Sequence, residues 1–313
     1  MKNTLLRPPM LSTVRASLLA AALAGPALAQ DSGDPIKMIL NDWTGQLISA
    51  QIMGEALKRE GFSVEYVQAD AMAEFVGLKS GDLHVAMEIW STTQKDLFDE
   101  AVASGQVENM GESGMQAREE WWYPLYMKEA CPGLPDWTAL LEPACVEAFS
   151  TPETAPKGRY LGAPVTWGGF DEERVEALGL DFEVIHAGTD AALFAELESA
   201  WQRKAPIILW VYSPHWVPAV YQGEYIEFPP FTEDCYTEER YDCGKPQGPI
   251  WKAAWQGVAG KWPTAHKAIG NFSLSSEESN ALIQRVDVDK QPLDAVVADW
   301  LDQNESRWKA WFQ

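Results

Sequence analysis

Twice along this chain, from Ile36 to Ile89 and from Arg159 to Tyr212, short apolar runs alternate with amphipathic stretches in the order strand, helix, strand, helix, strand. Few folds satisfy that order, because parallel strands need long crossovers, the crossovers are right-handed, and their helices cover the sheet faces. In the first unit the expected strands run from Ile36 to Leu40, Phe62 to Val67 and Leu83 to Ile89. Between them, Gln46 to Glu60 carries Leu47, Ile48, Ile52 and Leu57 on one helical stripe closed by Gly61, and Ala71 to Lys79 reads as a second helix. The second unit repeats the scheme with strands from Arg159 to Ala163, Phe182 to His186 and Pro206 to Tyr212, and helices from Asp171 to Leu178 and Asp190 to Lys204. A strand-like crossing around Trp122 to Tyr126 joins the units, and Tyr225 to Phe231 can cross back. Two crossings would return the helices near Ser276–Val286 and Leu293–Phe312 to the first unit.

The expected architecture is therefore α/β with two lobes, each a central, mainly parallel sheet flanked by helices, and two crossover segments at a hinge. Lobe 1 takes residues 30–127 and 227–313, and lobe 2 takes residues 128–226. Residues 1–29 stand apart as a secretory signal peptide: Lys2, Arg7 and Arg15 precede the apolar run from Ala16 to Leu23, and Ala27-Leu28-Ala29 is a small-x-small cleavage site. No later stretch approaches the roughly 20 apolar residues of a membrane helix. An exported, periplasmic chain follows.

Four tryptophans stand where apolar runs stop: Trp43, Trp90, Trp167 and Trp210, two in each unit. Ligands of open α/β sheets bind outside the carboxyl ends of the strands, so these rings converge on the cleft between the lobes. Taken singly each would be a packing residue, as Trp201, Trp300, Trp308 and Trp311 within helical patterns should be. Together, four electron-rich rings make a cage for an organic cation. A trimethylammonium head suits such a cage, because its methyl groups need no hydrogen bonds. The Trp167-Gly168-Gly169 context adds glycines that permit close backbone approach.

Two further groups border the cleft. In the extended crossing Glu120 and Trp122 face one side, so a carboxylate and a ring can enter together; a solvated Glu120 and a Trp122 packed in the hinge fit the pattern equally well. His215, just after Trp210, can donate to an anionic ligand end or be satisfied within its own turn.

A net charge of −22 argues against nucleic acid and anionic membranes as partners. In an oxidising compartment the four cysteines suggest the local disulfides Cys131–Cys145 and Cys235–Cys243, although three connectivities are open. No Cys-x-x-Cys spacing accompanies them, and neither a metal nor a cofactor is expected.

The string from Trp210 to Trp216, with Pro214-His215-Trp216 at its end, resembles the signature of the glycine betaine/choline substrate-binding proteins of ABC importers. The resemblance extends through Asn41-Asp42-Trp43, Glu88-Ile89-Trp90, the tryptophan-rich crossing and Ala298-Asp299-Trp300-Leu301. It implies a monomeric receptor whose lobes close on a methylated amine and deliver it to a membrane permease. By position Trp43, Trp90, Trp167 and Trp210 match the family's cage, His215 a residue that meets a betaine carboxylate, and Trp122 an aromatic less regularly placed. The long cysteine-bearing insert from Pro229 to Pro249 and the Trp/Glu-rich crossing resemble the trimethylamine N-oxide-binding branch. That favours the N-oxide, with glycine betaine or choline next. The rival from another class is an exported carbohydrate-active enzyme with a tryptophan-lined cleft, Glu88 and Glu120 flanking the bond it cleaves.

Overall fold

The computed structural model describes Met1 and residues 30–237 and 240–313, so apart from Met1 the expected signal peptide lies outside the described residues. Nine strands are found among them: β1 Ile36–Leu40, β2 Val64–Gln68, β3 Val85–Trp90, β4 Val107–Pro124, β5 Gly158–Gly162, β6 Phe182–His186, β7 Leu209–Ser213, β8 Gly223–Tyr225 and β9 Gly248–Trp255. Their order is β2-β1-β3-β9-β4-β7-β5-β6, with β8 paired to β4. Within the first unit β1 pairs parallel with β2 and β3, and within the second β5 pairs parallel with β6 and β7. This is the two-lobed α/β arrangement that the repeated alternation demands.

The lobes share β4. Its first part pairs antiparallel with β9 and its last part with β7, so one 18-residue strand runs through both halves of the sheet. The crossing is far longer than the stretch from Trp122 to Tyr126 suggested. Gly111 and Gly114 look like strand breakers, yet the pairing with β9 shifts register around them, between Asn109 and Glu112 and between Glu112 and Gln116. They act as bulges in a continuing strand, beyond which Met115 and Ala117 are buried and Gln116 and Arg118 exposed. The return crossing is less regular than expected. β8 ends at Tyr225, after which the Ile226 and Glu227 N–H groups donate to the carbonyls of Trp121 and Pro135.

Helices α1 (Thr44–Arg59), α2 (Glu74–Ser80) and α3 (Lys95–Ala103) belong to the first unit. Helices Ser276–Asp287 and Leu293–Gln303 return to pack on α1. A helix expected to continue to Phe312 breaks at Asn304, whose side-chain amide and backbone N–H both donate to the Trp300 carbonyl. Disulfides Cys131–Cys145 and Cys235–Cys243 are both formed. No helix of the described residues is long and apolar enough to cross a membrane.

Beneath the strand ends a polar network holds the loops that follow β1 and β3. Glu74, fully buried at the start of α2, accepts from Asn41 Nδ2 and Gln94 Nε2, each at 3.0 Å. Gln94 also donates to the Ala71 carbonyl and accepts from the Trp90 N–H. Burial pushes the Glu74 carboxyl up to about 8. Between its ordinary value near 4.5 and about 8 the unfolded chain has lost this proton while the folded chain keeps it, so stability falls as pH rises through that window. Glu74→Gln should flatten the pH dependence of Tm, gaining on the wild type between pH 5 and 8. Parallel Tm curves for the two proteins would show that Glu74 does not titrate in this way.

Candidate ligand-binding site

Four rings from the two halves of the sheet meet above the strand ends. Trp43 follows β1 at the N-cap of α1, Trp90 closes β3, Trp167 lies in the loop after β5, and Tyr212 is near the end of β7. Trp43 meets Trp167 edge to face with centroids 5.5 Å apart, Trp167 meets Tyr212 at 5.8 Å, and Tyr212 meets Trp90 at 5.4 Å. Such near-perpendicular contacts are the favoured geometry of aromatic pairs. A buried carboxylate completes the circuit: Glu88 Oε2 accepts from Trp43 Nε1 at 2.9 Å and Trp90 Nε1 at 3.1 Å, while Ser49 Oγ donates to Oε1 at 2.7 Å. The rings are held as walls of a box.

These four residues, with Ala71, Thr93, Gln94 and Glu119, line a small cavity that is partly open to solvent. Glu119 Oε2 accepts from Thr93 Oγ1 at 2.6 Å, and burial raises its carboxyl above the usual range, against the opposing pull of Lys245. Across the cleft, Trp167 Nε1 donates to Asp42 Oδ1 at 2.5 Å. Gly168, at φ +81°, brings the Trp167 loop against the first unit. A Cβ there would lie 3.0 Å from Met72 Sδ and 3.2 Å from Thr93 Cγ2, so close approach requires glycine.

Trp43, Trp90 and Trp167 are thus brought together, and four other expected site residues lie elsewhere. Trp210 is 1% exposed and stands one inward-facing position before Tyr212 on β7. Its ring faces Lys245, whose Nζ is 3.6 Å from the ring centroid, and Tyr212 takes the fourth wall. Glu120 sits opposite Val211, paired with buried Arg174, and accepts from the Trp121 and Lys245 N–H groups. Its neighbour Glu119, opposite Tyr212, is the carboxyl that reaches the cavity. The alternation along the crossing holds, but its phase is shifted by one residue. Trp122 consequently packs on β8, where a Cβ at Gly223 would collide with its ring.

His215 is also absent from the wall. Its ring lies 4.2 Å from Phe194 and 4.5 Å from Tyr212, centroid to centroid. The Val217 N–H points at Nδ1, and Nε2 faces Asp287 Oδ2 at 4.0 Å. Burial lowers the imidazole to about 3, so it is neutral, and buried Asp190 and half-buried Asp287 make with it a group of one imidazole and two carboxyls. Among the described residues no lysine or arginine bonds to either carboxyl. The enzyme alternative fails on the same geometry: Glu88 is enclosed by three donors and Glu120 by Arg174, so they do not flank a reacting bond.

Missed in the sequence were Tyr212 and the role of Glu88, while the choice between Glu119 and its neighbour Glu120 stayed open. Period-two spacing from Trp210 offered a signal for Tyr212, and the Glu-Glu pair one for Glu119; for Glu88 only its place two residues before Trp90 did.

Two α/β lobes that share a hinge strand and enclose an aromatic box define a substrate-binding receptor. The chain matches, over residues 34–303, the family described as the substrate-binding domain of the ABC-type glycine betaine transport system, and it belongs to that family. It is 34% identical over 297 residues to the trimethylamine N-oxide-binding protein of Pelagibacter ubique (strain HTCC1062), covering 92% of this chain and 93% of that one. Its fold is similar to that of lactococcal OpuAC in its closed form with glycine betaine (TM-score 0.69, 17% identity, 90% of this chain and 100% of that chain). It is also similar to an ABC-transporter choline-binding protein complexed with choline (TM-score 0.71, 16% identity, 88% and 91%). The protein is a transporter's binding component and not an enzyme.

Proposed function

We propose that the chain captures trimethylamine N-oxide in the periplasm and delivers it to the permease of an ABC importer. The observation that carries this reading is the box of four rings with a single carboxyl, Glu119, in its wall. The trimethylated nitrogen sits among the rings, and the N-oxide oxygen lies toward Glu119, whose carboxyl burial raises above the usual range, against the pull of Lys245. Desolvated cation–π contacts of about 2 kcal/mol each make roughly 8 kcal/mol before ordering costs, the order that micromolar binding needs. A betaine carboxylate fits less well, because the cavity wall carries no lysine or arginine and the group around His215 is flanked by Asp190 and Asp287. The relative from Pelagibacter ubique supports the N-oxide, and two disulfides suit an oxidising compartment.

Titration calorimetry with trimethylamine N-oxide, choline and glycine betaine tests the proposal. The N-oxide should bind most tightly, and Trp167→Ala should weaken it about 30-fold, the equivalent of about 2 kcal/mol. Tightest binding of betaine would overturn the ligand assignment. No heat with any methylated amine would overturn the cage itself.

A further inference from the structure

Trp210 has a cation of its own. Lys245 lies two residues beyond Cys243, just outside the loop closed by Cys235–Cys243, and its backbone N–H is anchored to Glu120 Oε2 at 2.9 Å. Its side chain is buried, and Nζ stands over the Trp210 ring with no hydrogen-bond partner. Burial draws this ammonium below its ordinary value, against the pull of Asp171, Glu119 and Glu120, and Arg174 adds to the lowering. Arg174 is itself committed to Glu120 and to the face of Phe228. Glu119 lines both the aromatic cavity and the neighbouring groove that holds Lys245. One carboxyl thus borders both the aromatic cavity and the groove of an internal cation.

We propose that Lys245 is a specificity-determining residue that makes the site select methylated amines without net charge, such as N-oxides, against permanently cationic ones, such as choline. A buried ammonium in the groove that Glu119 also lines reduces what that carboxyl offers a second cation, and like charges in a poorly hydrated site repel with little screening. An N-oxide brings its own negative end, adds no net charge and presents an oxygen to the Glu119 side. Choline brings a full positive charge and no anionic end. The proposal rests on the cage reading above and deepens it.

The test compares wild type, Lys245→Met, Lys245→Gln and Lys245→Arg by calorimetric titration with trimethylamine N-oxide and with choline, after melting curves confirm folding. Wild type should prefer the N-oxide by at least about tenfold. Lys245→Met and Lys245→Gln should shift that ratio toward choline by about tenfold or more, mainly through tighter choline binding, and Lys245→Arg should keep it. An unchanged ratio in a folded neutral variant, or equal losses for both amines, overturns the proposal and leaves Lys245 a packing residue. A wild type that prefers choline overturns it too, with the cage intact. Failure of wild type to bind either amine is the distinct result that removes the cage reading and this proposal together.

Discussion

Trp210→Ala is expected to lower Tm by roughly 10 °C while costing far less N-oxide affinity than Trp167→Ala. The ring lies on β7, opposite Trp121 on β4, with Lys245 above it and Gly169 against its edge. Truncating a buried tryptophan loses transfer free energy and leaves a cavity, together about 3–5 kcal/mol. For a chain of this size each kcal/mol moves Tm by roughly 2–4 °C. Lys245 would in addition lose the face it rests on. Calorimetric melting beside ligand titration separates the two tryptophans: if Trp210→Ala keeps its Tm and loses binding as Trp167→Ala does, Trp210 belongs to the cage after all.

Glu88→Ala should have the larger effect on binding, a loss of about a hundredfold, or about 2.7 kcal/mol. One carboxylate accepts from Trp43, Trp90 and Ser49, all buried, and its removal strands three donors at about 1–3 kcal/mol each. Two walls of the box then lose the group that sets their angle. Glu88→Gln, with one amide oxygen to offer, should fall between. Affinity within threefold of wild type in Glu88→Ala would mean that packing alone orients the rings.

The contrast between these residues shows which parts of the site were legible in the chain. Trp43, Trp90 and Trp167 stand at ends of local patterns, and the end of a strand or the Trp-Gly-Gly turn is readable within a few residues. Trp210 looked equivalent because it closes the run Ile207-Ile208-Leu209-Trp210, yet β7 continues to Ser213 and carries Tyr212 to the cleft instead. Glu119 and Glu120 are adjacent, and nothing local says which face of β4 turns inward. That choice belongs to the pairing with β7 and β9 on either side. Gly111 and Gly114 hid half of β4 for a related reason, since a bulge is recognised only with its partner strand in place.

From the sequence alone came the two alternating units, hence the parallel sheets and the lobes, the local cysteine pairs and three of the four cavity rings. Each depends on periodicity or spacing within about 15 residues, where backbone geometry dictates the outcome. Tertiary structure alone decided that Tyr212 and Glu119 line the cavity, that Glu88 ties two tryptophans together, and that Lys245 covers a third. Those contacts join Ser49 to Glu88, Glu119 to Tyr212 and Trp210 to Lys245 across separate elements, and packing of the whole chain selects them.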